Sequence, residues 1–192
     1  MINLKKITTC VTVLGLALTF ATSCSDKNKD SKEVAEETNE ANLNNKQEKG
    51  AEELVNAYSA NMFEIKASEN AASNATTAEV KKIATMMIAA HGKMNLDVEK
   101  LAVSKSVTLP TDLTDDQRKD LEKLTEKSGI DYDKAYISKM KDNHEDALKM
   151  LEKISEKCDD AEIKTWAQTS MPEVSKHLEM VKAADDNLKA MK

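Results

Sequence analysis

Glycine, proline, cysteine and aromatic residues are all scarce in this chain of 192 residues: four glycines, two prolines, three cysteines and 3% aromatics. So few turn formers leave long stretches uninterrupted, and no run alternates apolar and polar residues as a half-buried strand would. Several chemistries lack their sequence signals. There is no glycine-rich phosphate loop, no Gly-x-Ser-x-Gly elbow and no Cys–His pair at a recognisable spacing. There is no basic run either. The net charge is −6, which argues against nucleic acid as a partner and against a polybasic attachment to anionic lipid.

The cysteines divide by position. Cys10 lies in an apolar run, "ITTCVTVLGLALTF", that follows the positive start "MINLKK". This is the pattern of a secretory signal, too short and wrongly flanked for a lasting membrane span. The run ends in "ATSC" at Cys24, small residues leading into a cysteine, which resembles a bacterial lipobox. The resemblance implies cleavage of residues 1–23 and lipid on Cys24, with several acyl chains holding the protein at a membrane. Ser25 follows where an aspartate would imply retention at the inner membrane, so the expected location is the outer membrane of the cell envelope. Cys158 then remains alone, which rules out an intramolecular disulfide in the mature chain and is best read as a helix-end residue. Losing Lys5 and Lys6 with the signal takes the net charge from −6 to −8.

Residues 25–50 are nearly all Asp, Glu, Lys, Asn, Ser and Thr. Such a segment buries too little apolar surface to offset its ordering entropy, so residues 24–50 are expected to form a disordered tether, with at most transient helix near Glu33–Ala41. The domain proper is expected over 51–191. Apolar residues recur there at helical period, in helices of about Ala51–Ala72, Ala78–Ser104, Asp115–Glu126, Tyr132–Lys157 and Ala161–Met191. Thr76 or Thr77 and Thr114 suit the N-cap positions. Ser170 and Glu173 form a capping box around Pro172, so a kink or restart is expected there. The fold class is all-α: a four-helix bundle of two hairpins. About 27 residues containing a short helix join the hairpins, the single-crossover topology of ferritin-like bundles.

The segments "NMFEIKASENA", "VKKIATMMIAAHGKMN", "VTLP", "SGIDYDKAYISKMKDNHEDAL" and "SMPEVSKHLEM" occur in that order. Together they resemble domain of unknown function 4142, a family of secreted or lipid-anchored, ferritin-like bacterial proteins often described as predicted outer membrane proteins. The resemblance spans about Gly50 to Ala184. It places recurrent family positions at Glu64, Met87, His91, Pro110, Asp131, Tyr136, His144, Pro172 and His177. The chain departs at Ala90, where the family usually has an acid, and at Tyr132, where it usually has Phe. The family brings a fold and a location but no reaction.

All three histidines fall on inward stripes of three different long helices, and Glu64 falls within a stripe of small residues, Ala57, Ala60, Ala67 and Ala71, on a fourth. Rises of about 1.5 Å per residue put His91 level with His144, and Glu64 level with His177, in two layers about 6–8 Å apart. Three readings stand open. The residues form a structural polar network, with Tyr58 or Tyr136 joining the imidazoles. Or Glu64, His91, His144 and His177 bind zinc, iron or copper, in the part of a bundle where metal sites are built. Or Met87, Met94 and Met140 add soft sulfur ligands for Cu(I). The residues three before the histidines are Ile88, Lys141 and Val174, so the paired Glu-x-x-His of di-iron bundles is missing and a ferroxidase is not expected. No catalytic residue is assigned, no protein partner is evident, and the leading expectation is a non-enzymatic envelope protein.

Overall fold

The computed structural model describes residues 29–191. The expected signal segment, Cys10, Cys24 and the first residues of the expected tether lie outside them. The described chain is all helical, with α1 (Ser31–Asn42), α2 (Asn45–Asn74), α3 (Ala78–Lys105), α4 (Asp115–Thr125), α5 (Gly129–Lys157) and α6 (Ala161–Ala190). None of these helices is long and apolar enough to cross a membrane. The helices begin where the sequence supplies acceptors for their free amide groups. Thr77 caps α3 through Val80, Thr114 caps α4 through Gln117, and Asp160 caps α6 through Glu162 and Ile163. Gly129 starts α5 at φ +61, a conformation a side chain would strain.

Short turns pair α2 with α3 and α5 with α6 along their length, and the hairpins meet through α2 with α5 and α3 with α6. Residues 106–128 carry the chain back along the bundle, so α3 and α5 start at the same end. Within this crossover α4 packs on α2 and α5, and Leu113 and Leu124 reach the core. Asp133 locks that end. It is fully buried, and its carboxylate accepts the amides of Thr76 (2.8 Å) and Thr77 (2.7 Å) in the α2–α3 turn. Asp131 and Asp133 both lie near the start of α5, where acids commonly partner their own helix. Asp133 instead ties the second hairpin to the first.

The core is not continuous. One apolar cluster lies toward the α2–α3 turn and includes Ala67, Met87, Met140 and Val181. The other lies toward the α5–α6 turn and includes Ala57, Met94, Leu151 and Val174. Between them each long helix contributes one buried titratable residue: Glu64 between Ala57 and Ala67, His91 between Met87 and Met94, His144 between Met140 and Leu151, His177 between Val174 and Val181.

Three expectations change. The polar stretch read as a tether is helical from Ser31. Capping boxes Asp30/Glu33 and Asn44/Gln47 start two helices there. Asn39 exchanges hydrogen bonds with the backbone of Thr108 (2.9 and 2.7 Å), which docks α1 on the crossover without a wide apolar face. The helix does not stop at Pro172 either; α6 runs through it. Ser170 gives its hydroxyl to the Trp166 carbonyl (2.8 Å) rather than capping a new start. Buried Trp166, Ala167, Val174 and Leu178 hold both halves on one face. Finally, Ala60 does not join the small-residue stripe of α2: it is exposed, while Ala57, Ala67 and Ala71 are buried.

Candidate metal centre

Glu64, His91 and His177 are each 3% exposed and His144 is fully buried. The three imidazoles stand as a nearly equilateral triangle, with ring centroids 5.3 Å apart for His91 and His144 and 5.5 Å for the other two pairs. Glu64 Oε2 lies 2.9 Å from His91 Nε2 and 3.6 Å from His144 Nδ1. The two polar layers expected from the sequence are therefore one. α2 extends to Asn74, which moves Glu64 further from that end of its helix, and His177 lies as far from the end of α6 at Ala190 as His91 lies from the start of α3 at Ala78.

The outer hydrogen bonds fix how the rings face. His91 Nδ1 meets Asn61 Oδ1 at 2.9 Å, and His144 Nδ1 meets the Met140 carbonyl at 2.8 Å. Both partners are oxygen acceptors, so Nδ1 carries the proton in each ring and, in the neutral form, Nε2 keeps its lone pair. Inside the triangle the partners run out. Glu64 Oε2, His91 Nε2, His144 Nε2 and His177 Nδ1 are buried and hydrogen-bond to nothing. His91 Nε2 and Glu64 Oε2 lie 2.9 Å apart, and neither atom has a partner elsewhere. Each orphaned group costs about 1–3 kcal/mol. Four on neighbouring residues are too many for a settled structural network.

Electrostatics set the protonation. Burial pushes the Glu64 carboxyl up, but the facing His91, with His144 and His177 behind it, holds it below the usual carboxylate value. Burial pushes His144 down against the pull of Glu64. Burial, with His91 and His144 adding to it, pushes His177 down to about 4. At neutral pH His144 and His177 are therefore neutral and Glu64 is charged, which is the state a metal ion requires of these ligands. The buried carboxylate also calls for a positive charge beside it.

One nitrogen from each histidine lies within 4.8 Å of the others. At that upper bound, a point equidistant from the three is about 2.8 Å from each, so zinc–nitrogen bonds of about 2.0–2.1 Å need each ring to close in by about 0.7 Å. Side-chain torsions supply that much. The methionines fit less well. Met87 and Met140 belong to one flanking apolar cluster and Met94 to the other, so they form the walls on either side of the polar layer. Tyr58 and Tyr136 do not join the imidazoles. The Tyr58 hydroxyl donates to Glu99 (2.8 Å), and the Tyr136 hydroxyl pairs with Ser68 (2.8 Å). Glu173 is exposed.

Sequence reasoning missed Asn61 and Asn95. Asn61 is buried and orients His91; Asn95 is buried with its Oδ1 unpartnered. Their spacing was a usable signal: Asn61 lies three residues before Glu64 and Asn95 four after His91, each on the same helix face as the residue it accompanies.

No curated protein and no solved structure matches the chain. Residues 32–184 match the family described as domain of unknown function (DUF4142), so the chain belongs to that family.

Proposed function

We propose that this protein binds a single divalent transition-metal ion through His91, His144, His177 and Glu64. The observation that carries this reading is the set of four buried polar atoms, one from each of these residues, that hydrogen-bond to nothing. A cation among the three imidazoles satisfies their free nitrogens at once, and Glu64 Oε2, 2.9 Å from His91 Nε2, brings the negative charge to its side. Imidazole nitrogen and carboxylate oxygen suit Zn²⁺, Fe²⁺ or Cu²⁺ better than Cu(I), whose sulfur ligands are not supported by the placement of the methionines. Four protein ligands resemble a closed, structural or storage site more than an open catalytic one. The proposed setting is the outer membrane of the cell envelope, with lipid on Cys24; the support is the signal segment and the "ATSC" sequence. Incorporation of a labelled fatty acid, lost in Cys24→Ser, tests the anchor.

Elemental analysis of the purified protein, then titration with Zn²⁺, Fe²⁺ and Cu²⁺ during thermal unfolding, tests the metal. At a hundredfold excess over Kd the ion adds about 2.7 kcal/mol. For a domain of this size that raises Tm by about 5–11 °C. Protein without metal that gains nothing at tens of micromolar of any of the three overturns the reading.

A further inference from the structure

A cleft of 330 Å³ opens between α2, α4 and α5, and Glu64 lines it. Glu64 thus faces two ways: its orphaned Oε2 lies beside His91 and His144, and the residue also borders the cleft. Asp120 and Asp146 line the same cleft, with Lys139 the single cation among the lining residues. That cation is engaged: Lys139 pairs with Asp120 at 2.7 Å and rides over the Phe63 ring at 5.3 Å. Lys123 and Lys149 also pair with Asp120 and Asp146 from beside the cleft, so Glu64 is the lining carboxylate that no lysine pairs. On its α4 side, Gln117 is fastened to Ser59 through the Ser59 carbonyl and hydroxyl (3.1 Å each).

We infer that this cleft is the route by which the metal ion reaches the buried centre, with Glu64 as its first internal ligand and α4 as the wall that shapes the opening. The inference rests on the metal-binding reading above. It also gives Glu64 a role the histidines do not share: the carboxylate takes the ion from the cleft and passes it to the three imidazoles. An ion held by four mutually packed helices otherwise needs the bundle to open. A cleft bordered by the residue of one of the ligands shortens the ion's path and separates the speed of loading from the strength of binding.

The test follows uptake of Co²⁺ by the full protein in stopped flow, through the visible absorption that nitrogen ligation gives this ion. Ala60→Trp and Ala147→Trp each place a large ring in the cleft. Ala60 is exposed, so its replacement leaves the core intact even if Ala147→Trp does not fold. Ala89→Trp, on the exposed face of α3, is the control. Both cleft variants should load and release Co²⁺ about tenfold or more slowly at unchanged Kd, while the control matches the parent. Cleft variants that load at the parent rate, with the same Kd, overturn the route and leave the metal site standing. A parent protein that takes up no Co²⁺ overturns both.

Discussion

Replacing His144 by leucine separates a metal centre from a structural network, because the two assign opposite signs to the metal-free protein. The His144 side chain is fully buried, its Nε2 has no partner, and its Nδ1 donates to a helical carbonyl. Leucine fills a similar volume. It removes the desolvated orphan, worth about 1–3 kcal/mol, and gives up one hydrogen bond with a net value of about 0.5–1.5 kcal/mol. The Met140 carbonyl is not stranded, since it belongs to the backbone ladder of α5. The metal-free variant should therefore be more stable by about 1 kcal/mol, raising Tm by about 2–4 °C. With saturating metal the order reverses: the parent gains about 2.7 kcal/mol at a hundredfold excess, and the variant, with one ligand fewer, gains little. Urea unfolding with and without metal, read by circular dichroism, gives all four values. A metal-free variant destabilised by about 2 kcal/mol or more, together with equal metal increments in both proteins, refutes the reasoning and identifies the layer as a network that needs every member.

Asn61→Leu removes the acceptor that orients His91 and should weaken metal binding by about 10–100-fold in a competition titration, with the ion still bound; unchanged affinity removes Asn61 from the site. Asp133→Ala strands the amides of Thr76 and Thr77 and should cost about 3 kcal/mol in urea unfolding. Asp133→Asn keeps one acceptor and should fall between; a loss below about 1 kcal/mol in the alanine variant contradicts the lock. In metal-free protein, His177 binds its proton at about 4 when folded against an ordinary 6.5, so between these values the unfolded chain holds more protons. Its contribution is intact above about pH 6.5 and is lost as pH falls towards 4, by about 3 kcal/mol at 1.36 kcal/mol per unit. Glu64, held below its ordinary 4.5, adds a further loss as pH falls below that value. Unfolding free energies flat from pH 7 to 5 would contradict the burial of a neutral His177.

What could be read from the sequence depended on which force placed each residue. The long helices were legible because glycine and proline are scarce and burial imposes a 3.6-residue period that apolar residues report directly. Thr77 and Thr114 were legible as caps because capping is local. The histidines were legible as inward for the same reason as their apolar neighbours. Their common level was not, because a boundary error of two to four residues moves a side chain by about 3–6 Å along the axis. At its upper end that reaches the separation of about 6–8 Å expected between the two layers. α1 was illegible because hydrogen bonds from Asn39 to the Thr108 backbone hold it, and hydropathy does not record those. Pro172 misled because its local preference is to interrupt a helix, while the packing of α6 against the rest of the bundle carries the helix through.

If Cys24 carries lipid as proposed, the start of α1 at Ser31 would change how the domain sits at a membrane. With lipid on Cys24 as proposed, only five residues lie between the anchor and Asp30, the cap of α1, a span of six residue steps. Six such steps span at most about 20 Å, whereas a tether running to Gly50 would reach about 90 Å. The bundle is then held near the lipid surface by the end of α1 that touches the crossover, where Ser31 meets Thr111. The same crossover carries α4, whose Gln117 and Asp120 border the cleft that leads to Glu64. Anchor and cleft thus share one stretch of chain as their neighbour. A chain of net charge −8 after loss of the signal gains nothing electrostatically from an anionic surface. With the anchor as proposed, the lipid and not charge would hold it there.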